Sequence, residues 1–373
     1  MKVLIIHNED KFFGGAETVL INLVSGLQAN NGIELTVGVV AGSKLSFALP
    51  AQVKQVFLTS NRPLSVIKIF KQIIALKKNA GANGFGLIHA WAARDWELAG
   101  LLGKILKKPA IATLHDHPMA WYHSLWRQKM MRFLSSSVLD KTVCVSESQR
   151  SECIKAHYNP EKLSVIHNGI PARRSTLVKP GFDEKVRLGF MGTISEGKGF
   201  KLLFELIDSV TKVVSVDWTL EIAGDAQDSQ GRQLLQWIKN VYSSRSWWNR
   251  VNWLGWVDDR IGFFSKIDLL IFPSVSYDCL PTVLLEAGIS GVPVFSSKVG
   301  GTPEIVIDQQ TGWLFDINHI KDASRALGNL MQNKKLLHEA GERAVLHITK
   351  NFSVEKMVAD YLKLYSNIIG DDK

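Results

Sequence analysis

The stretch that decides the fold is Phe272–Glu304, which reads FPSVSYDCLPTVLLEAGISGVPVFSSKVGGTPE. An apolar run, Ile267–Phe272, leads into it and stops at a Pro-Ser pair. A short loop then carries Asp278, Pro281 opens a helix that carries Glu286, and a second apolar run follows. This order of strand, loop, helix and strand predicts a unit of parallel sheet, which binds ligands beyond the carboxyl ends of its strands.

Two carboxylates and the start of a helix meet in this stretch. The free amides of a first helical turn favour phosphate, and a carboxylate near them can accept hydrogen bonds from sugar hydroxyls. Glu286 lies among Leu284, Leu285 and Ala287, and an acid with apolar neighbours needs a partner or a ligand. Alternatively, Asp278 and Glu286 are solvated acids at a helix start, where negative charge is favoured anyway.

Strand and helix signals alternate through the rest of the chain. The alternation predicts an α/β protein with two doubly wound parallel sheets, joined by a linker over Pro171–Glu184. The predicted strands of the first half are Val3–His7, Leu35–Ala41, Gln55–Leu58, Leu87–Ala90, Ala110–Leu114 and Lys141–Val145. Those of the second half are Val186–Met191, Trp218–Ala223, Val251–Leu254, Leu269–Phe272 and Val292–Ser296.

Composition indicates a globular protein of two domains. The chain has 373 residues, 46% of them hydrophobic and 21% charged. No apolar run approaches the roughly 18 residues that a membrane-spanning helix needs. Its three cysteines, Cys144, Cys153 and Cys279, are widely spaced and form neither a disulfide framework nor a CxxC metal pattern. We therefore expect a cytoplasmic protein.

The net charge of +9 comes largely from basic clusters in the first half of the chain. Such clusters attract phosphates, whether of a nucleic acid, an anionic lipid or a phosphorylated ligand, unless they are merely solvated helix faces. The segments Arg62–Lys78 and Trp121–Phe133 interleave cations with apolar or aromatic residues. Each could rest on a membrane surface or pack as an ordinary outer helix. No nucleic-acid-binding module is recognisable, so nucleic acid is not expected as a partner.

Further polar motifs follow other predicted strands. Gly14-Gly15-Ala16-Glu17 joins the first strand to a helix; it is either a ligand-approaching loop or a tight turn, and it is not a GxGxxG dinucleotide motif. Gly192–Gly199 has the composition of a phosphate loop, but Gly199 stands where GxxxxGK[ST] requires Ser or Thr. Its Lys198 is either a diphosphate clamp or a surface lysine in a turn.

His115 ends the predicted strand Ala110–Leu114, and a histidine there suits proton transfer or polar contact with a substrate. Alternatively, His115 makes a purely structural polar contact; a metal site with the neighbouring Asp116 is disfavoured, because adjacent residues of an extended segment point to opposite sides. No metal is expected.

Taken together, the motifs resemble the family 4 (group 1) retaining glycosyltransferases of the GT-B fold. They follow the order and approximate spacing of that family over nearly the whole chain. The matching motifs are GGAE at Gly14–Glu17, LHD at Leu114–Asp116, VSE at Val145–Glu147, HNGI at His167–Ile170, GKG at Gly197–Gly199, AGD at Ala223–Asp225, LLEA at Leu284–Ala287 and GGTPE at Gly300–Glu304.

The resemblance implies the domain organisation. Residues 1–172 would form an acceptor-side Rossmann-like domain, and residues 173–353 a nucleotide-sugar-binding one across a central cleft. The last helix, 354–373, would cross back onto the first domain, with Tyr361, Leu362 and Leu364 as packing residues.

The resemblance also assigns roles by position. Glu286 matches the acid that holds the nucleotide ribose, and Asp278 matches the acid near the reacting end of the sugar, here shorter by one methylene. Lys198 matches the lysine of the diphosphate clamp, whereas Thr193 stands where the family has an arginine. The remaining expected contacts are His115 with the sugar, Gly15 in the loop near the diphosphate and acceptor, and Gly192, Leu280, Pro281, Thr282 and Val283 with the nucleotide sugar.

The implied function is transfer of a sugar from a UDP- or GDP-sugar to a hydroxyl of a lipid-linked, lipopolysaccharide or polysaccharide acceptor. The family performs this hexosyl-type transfer with retention and without a metal or other cofactor. The expected location is the cytoplasm or the inner face of the cell membrane, with an anionic membrane surface as a further partner. Two alternatives stay open at this point: a nucleotide-sugar 2-epimerase of the same fold, and a non-catalytic nucleotide-sugar-binding protein.

Overall fold

The structure, a computed structural model, describes residues 1–9, 14–30, 32–58, 66–79, 84–120, 124–172 and 185–370. Most of the predicted linker Pro171–Glu184 lies outside these residues. The chain divides into two compact units, Met1–Pro171 with Ser353–Lys373, and Ala172–Phe352. Each unit is built on its own parallel sheet.

The first unit contains a seven-stranded parallel sheet in the order β3-β2-β1-β4-β5-β6-β7. Its strands are apolar because helices cover both faces, as an all-parallel sheet requires. They are β1 (Lys2–His7), β2 (Glu34–Val40), β3 (Lys54–Leu58), β4 (Leu87–Ala90), β5 (Ala110–Leu114), β6 (Lys141–Cys144) and β7 (Leu163–Val165).

Helices of the first unit pack on this sheet in two buried clusters. One cluster lies under α1 and the C-terminal helix, and the other under α3, α4 and the segment after α5. The helices are α1 (Gly15–Gln28), α2 (Lys44–Ala48), α3 (Val66–Asn79), α4 (Trp96–Leu106), α5 (Leu125–Phe133) and α6 (Glu147–Lys155).

The C-terminal helix, which we number α14 (Val354–Gly370), belongs to the first unit and packs against α1. A buried polar chain fixes it to the sheet. The His89 ring bonds to the Tyr365 hydroxyl and, at its other nitrogen, to the Thr113 hydroxyl, both at 2.8 Å. Thr113 is in turn 2.9 Å from the Tyr361 hydroxyl. These hydrogen bonds satisfy buried polar groups that would have no partner if the helix shifted. They therefore fix the position of the helix on β4 and β5.

The second unit contains a six-stranded parallel sheet in the order β10-β9-β8-β11-β12-β13. Its strands are β8 (Val186–Met191), β9 (Trp218–Ala223), β10 (Val251–Gly255), β11 (Leu269–Phe272), β12 (Val294–Ser297) and β13 (Gly312–Phe315). Its helices are α7 (Phe200–Val210), α8 (Ser229–Tyr242), α9 (Arg260–Ser265), α10 (Thr282–Ile289), α11 (Thr302–Ile305), α12 (Ile320–Met331) and α13 (Lys334–Asn351).

The strand orders explain where sites can form. In each sheet the first strand lies between the second strand and one that follows later in the chain, so the connections leave it in opposite directions. The carboxyl ends of β1 and β4, and those of β8 and β11, therefore border a crevice in their own sheet. The predicted doubly wound parallel sheets are confirmed, and all eleven predicted strands are present to within two residues at each end.

Candidate functional site

Lys198 and Asp278 form an ion pair at the carboxyl edge of the second sheet. The Lys198 ammonium donates to the Asp278 carboxylate at 2.6 Å, although 80 residues separate them in sequence. Lys198 belongs to the loop after β8, and Asp278 to the loop after β11. Since β8 and β11 are neighbours at the crevice of this sheet, the topology brings the two residues together.

Glycines hold these two loops in register. The Gly197 carbonyl accepts hydrogen bonds from the amides of Val275 and Ser276, each at 3.0 Å, and from the Ser274 hydroxyl at 3.1 Å. Gly199 has a φ of +69°, and a Cβ at that position would lie 1.7 Å from the Pro273 carbonyl oxygen. Only glycine fits there, so the GKG motif is required for the close approach that places Lys198.

A second glycine pair encloses the loop of Asp278 from the other side. The Gly301 amide donates to the Asp278 carbonyl at 2.9 Å. At Gly300, with a φ of +54°, a Cβ would lie 1.9 Å from that same carbonyl oxygen. The GGTPE motif thus supports the backbone that carries the acid.

Helix α10 begins at the same edge. Pro281 is its N-cap residue and Thr282 its first residue, and no side chain caps the helix. Its first N–H groups, in the turn that includes Val283, are available to an anion, because a first helical turn has no carbonyls to bond them. Leu280 and Pro281 are themselves buried, so these residues can contribute to binding only through their backbone.

Glu286 lies on α10, only 9% exposed, and its carboxylate is paired with the Arg260 guanidinium. Arg260 is the first residue of α9, next to the N-cap Asp259. Sequence reasoning did not identify Arg260 as a site residue. The only indication in the sequence is that Arg260 is a cation close after the carboxyl end of β10. Arg260 and Glu286 are 26 residues apart, and no motif links them.

Gly192 and Thr193 follow β8 directly. The Gly192 amide donates to the Ala223 carbonyl at 3.0 Å, which continues the ladder to β9. A Cβ on Gly224 would lie 1.9 Å from the Gly192 carbonyl oxygen. The loops after β8 and β9 are therefore packed too closely for any side chain at Gly224. Thr193 is half-buried in this loop.

In the first unit, Gly15 starts α1, and the neighbouring Glu17 belongs to a buried charged cluster. The Glu17 carboxylate accepts from the Gly14 amide at 2.7 Å and contacts the His7 ring at 2.8 Å. The other ring nitrogen of His7 is 3.5 Å from an Asp95 oxygen, an ion contact rather than a hydrogen bond. The GGAE motif therefore closes a capped turn whose acid faces inward.

Charge in this cluster is unusual for a protein interior. Burial opposes protonation of His7, but Asp95 and Glu17 outweigh it and raise the His7 pKa to about 9. Burial likewise opposes the charge on Glu17, yet the contact with His7 and the Gly14 amide hold the Glu17 pKa below its usual range. The cluster is an imidazolium between two carboxylates at the carboxyl end of β1.

His115 follows β5, and its Nε2 is buried with no hydrogen-bond partner among the residues that the structure describes. Its ring packs on Trp91, with centroids 4.7 Å apart. Burial, aided by the positive charge of His7, lowers the His115 pKa to about 3, so the ring is neutral. A neutral imidazole with a free buried nitrogen can give or accept one hydrogen bond to an uncharged group such as a sugar hydroxyl.

The aromatic and cationic segment continues after residues 121–123, which lie outside the described part of the chain. Helix α5 exposes Leu125 and Trp126 by 76% and 68%. Arg127 instead turns inward, where it pairs with Glu97 and donates to the Ala93 carbonyl. The exposed part of α5 is therefore apolar at its start and basic at Lys129, whereas Arg132 is half-buried.

Two kinds of feature are absent from the part of the chain that the structure describes. No helix in these ranges combines the length and the hydrophobicity needed to cross a bilayer. No group of three or more histidine, cysteine, aspartate or glutamate side chains in the same ranges is arranged to hold a metal ion.

Known proteins match both units. The family model described as glycosyl transferases group 1 matches residues 174–346. The model of glycosyltransferase family 4 matches residues 13–174. Between them, the two models extend over most of both units.

Relatives and solved structures agree with these matches. The chain is 29% identical to N-acetyl-alpha-D-glucosaminyl L-malate synthase of Bacillus anthracis, over 90% of this chain and 94% of that protein. It is 23% identical to UDP-Gal:alpha-D-GlcNAc-diphosphoundecaprenol alpha-1,3-galactosyltransferase of Escherichia coli, over 83% and 82%. Its fold matches Anabaena Alr3699/HepE in complex with UDP at a TM-score of 0.84 and 20% identity, over 98% and 100%. The chain therefore belongs to the family 4, group 1 glycosyltransferases and has the GT-B fold, with two Rossmann-like domains.

Proposed function

We propose that this glycosyltransferase moves a hexosyl group from a UDP- or GDP-sugar to a hydroxyl of a lipid-linked, lipopolysaccharide or polysaccharide acceptor. The observation that carries the proposal is the Lys198–Asp278 ion pair, at 2.6 Å, beside the uncapped start of α10. A cation and free amides at the carboxyl edge of a parallel sheet suit a leaving diphosphate. Relatives named for transfer to malate and to a diphosphoundecaprenol-linked sugar support a hydroxyl acceptor of this kind.

Each residue has a role in the proposed reaction. Glu286 accepts hydrogen bonds from the ribose hydroxyls. Lys198 and the backbone N–H groups of Leu280, Thr282 and Val283 hold the diphosphate, with Gly192 and Thr193 beside it, and Pro281, which has no N–H group, starts the helix that presents these amides. As the bond to the sugar breaks, negative charge grows on the diphosphate, and these fixed cationic and amide groups stabilise it. We propose that the step needs no metal, and expect activity to survive a chelator.

At the sugar, Asp278 lies near the reacting end and His115 contacts a hydroxyl through its neutral ring. Gly15 allows the loop before α1 to approach the diphosphate and the acceptor. We propose retention of the anomeric configuration, through an oxocarbenium-like state. The measurement is the NMR anomeric signature of the product, and an inverted product would overturn the retention part of the proposal.

The proposed location is the cytoplasm or the inner face of the cell membrane, and the proposed domains are 1–172 with the helix 354–373, and 173–353. The compact units divide the chain at Pro171 and at Ser353, which supports these boundaries.

Substitution of Lys198 tests the function most directly. A screen of UDP- and GDP-sugars for thermal stabilisation first identifies the donor, because a ligand that binds only the native state raises its melting temperature. With that donor, we expect Lys198→Ala to lower kcat/KM at least about tenfold, since one charge-assisted contact contributes about 1.5–3 kcal/mol. Lys335→Ala is the matched control, because that side chain is 86% exposed and pairs only along its own helix.

The alternatives predict other results. A 2-epimerase would invert the sugar at C2 with no acceptor present, and a non-catalytic binding protein would show no slow hydrolysis of the donor. Unchanged kinetics in Lys198→Ala would remove that residue from the diphosphate site.

A further inference from the structure

Both predicted acids of the second unit are already paired with a cation. Asp278 accepts from Lys198, and Glu286 is paired with Arg260. The two pairs sum to no net charge, whereas a nucleoside diphosphate brings at least two negative charges. Beyond the free amides of α10, a cation can contribute its full charge to the phosphates only if it exchanges its carboxylate partner for phosphate oxygens, and the carboxylate then needs other donors.

The position of Arg260 suits such an exchange. Arg260 follows β10 and Glu286 follows β11, and the strand order β10-β9-β8-β11 puts β9 and β8 between them. Their contact thus reaches across the edge where the loops after β9 and β8 emerge. Thr193 belongs to the loop after β8, and its hydroxyl carries no charge.

We propose that Arg260 is a diphosphate-binding residue that supplies the positive charge missing at Thr193. In the free protein its guanidinium is held by Glu286. When the ribose hydroxyls bind, they donate to Glu286, and the guanidinium turns to the phosphate oxygens. This inference rests on the proposed function, because it assigns Arg260 to the same donor site.

Exposure and chemistry favour this direction of exchange. The Arg260 side chain is 34% exposed, whereas that of Glu286 is 11% exposed, so the cation is the partner with freedom to move. A guanidinium offers a planar fork that binds phosphate as well as it binds carboxylate. The ribose hydroxyls compensate Glu286, so that no buried carboxylate is left without a donor.

The exchange makes Arg260 a sensor of the phosphates rather than of the nucleoside. We expect Arg260→Ala to weaken binding of the diphosphate at least about tenfold, the loss of one charge-assisted contact. Binding of the matching nucleoside should stay the same or tighten, because Glu286 loses a competitor. The affinity of Arg260→Lys for the diphosphate should lie between those of the wild type and Arg260→Ala, since an ammonium keeps the charge but lacks the planar fork of the guanidinium.

The experiment is calorimetric titration of UDP, GDP, uridine and guanosine into the full chain. The proteins compared are the wild type, both Arg260 variants and the control Arg325→Ala, whose side chain is 76% exposed and pairs within its own helix. Melting temperatures establish that each variant is folded. An equal loss of affinity for nucleoside and diphosphate would overturn the inference, because Arg260 would then only orient Glu286. No loss of affinity for either ligand would also overturn it, because Arg260 would then have no part in binding.

A compensating substitution gives a second readout. In the Arg260→Ala background, Thr193→Arg should restore most of the lost diphosphate affinity, because it returns a guanidinium to the loop after β8. A folded double variant as weak as Arg260→Ala would contradict the claim that Arg260 fills this role. If the wild type binds neither UDP nor GDP, it is the proposed function itself that fails, an outcome distinct from an unaffected Arg260 variant.

Discussion

His7 shows how one buried residue can bring two carboxylates together. It ends β1, is 2% exposed, and faces Glu17 of the GGAE motif and Asp95. A neutral ring there would leave the two carboxylates with little beyond the backbone amides of Gly14 and Asn8 as donors, so the ionisation of the ring and that of the carboxylates depend on each other. The charge also acts beyond the cluster, because it helps to keep His115 neutral.

The pH dependence of stability should reveal this charge. The His7 pKa is about 9 in the folded protein, against 6.5 for the ordinary group. Protonated His7 therefore contributes about 3 kcal/mol to the free energy of unfolding. This contribution is fully present below pH 6.5 and is lost as the pH rises through 9. We expect the melting temperature to fall between pH 6.5 and 9.5 in thermal scans.

His7→Gln is the comparison for that scan, because it keeps a polar side chain but cannot carry the charge. It should melt at a lower temperature than the wild type near pH 6.5 and show a smaller decline toward high pH. Parallel melting curves for the two proteins across this range would contradict the assignment of the charge to His7.

Among the elements, the loop after β8 depends on its glycines most strongly. Gly199 approaches the Pro273 carbonyl so closely, and with such a backbone angle, that the loop after β8 and the loop after β11 form one packed unit. Both neighbours of Lys198 are held in this way, because Gly197 accepts hydrogen bonds from the loop after β11 and Gly199 packs on the same loop. Backbone packing thus positions Lys198, and the contact of its ammonium with Asp278 orients the side chain.

Substitution of Gly199 by alanine should separate these two loops. We expect a loss of stability above about 2 kcal/mol, because the added Cβ clashes with a carbonyl and the backbone angle is strained. Chemical denaturation of the variant measures the loss. Gly192→Ala is the matched control for stability, since its constructed Cβ meets only the Phe190 side chain, at 3.7 Å. Equal stability of the two variants would refute the close approach.

Some elements follow from the sequence and others do not. Apolar runs such as Val186–Met191 identify buried strands because both faces of a parallel sheet are covered. Strand β7, Leu163–Val165, has three residues, too few for a periodic signal, and α9 is only six residues long. Lys198 and Glu286 were accessible through their motifs, whereas the pairing of Glu286 with Arg260 depends on the order of strands in the sheet, which no local pattern contains.

At the scale of the whole molecule, some basic side chains are paired with carboxylates whereas others are exposed to solvent. The net charge is +9, yet Arg127 of the first unit is paired with Glu97, whereas Lys129 on the same helix is exposed, as are Leu125 and Trp126. Exposed apolar side chains flanked by cations suit an anionic membrane surface, where the apolar groups enter the interface and the cations meet phosphates.

We therefore expect reversible, salt-sensitive binding of the full chain to vesicles of anionic lipid. Flotation at low ionic strength should recover the protein with the vesicles, and salt should release it, because screening weakens the contribution of the cations. The double substitution Leu125→Ser and Trp126→Ser should reduce the bound fraction. Flotation without protein at low salt, or equal binding to neutral vesicles, would contradict this prediction.

The C-terminal helix α14 has a consequence for how the protein is made. Residues 172–352 leave the ribosome before the helix that completes the first unit, so the second unit can finish folding while the first still lacks Tyr361 and Tyr365. Until then the groove beside α1 and the His89–Thr113 pair are open to water or to chaperones. A nascent chain stalled just before Val354 should thus present a protease with a resistant second unit and a first unit that is still cleavable.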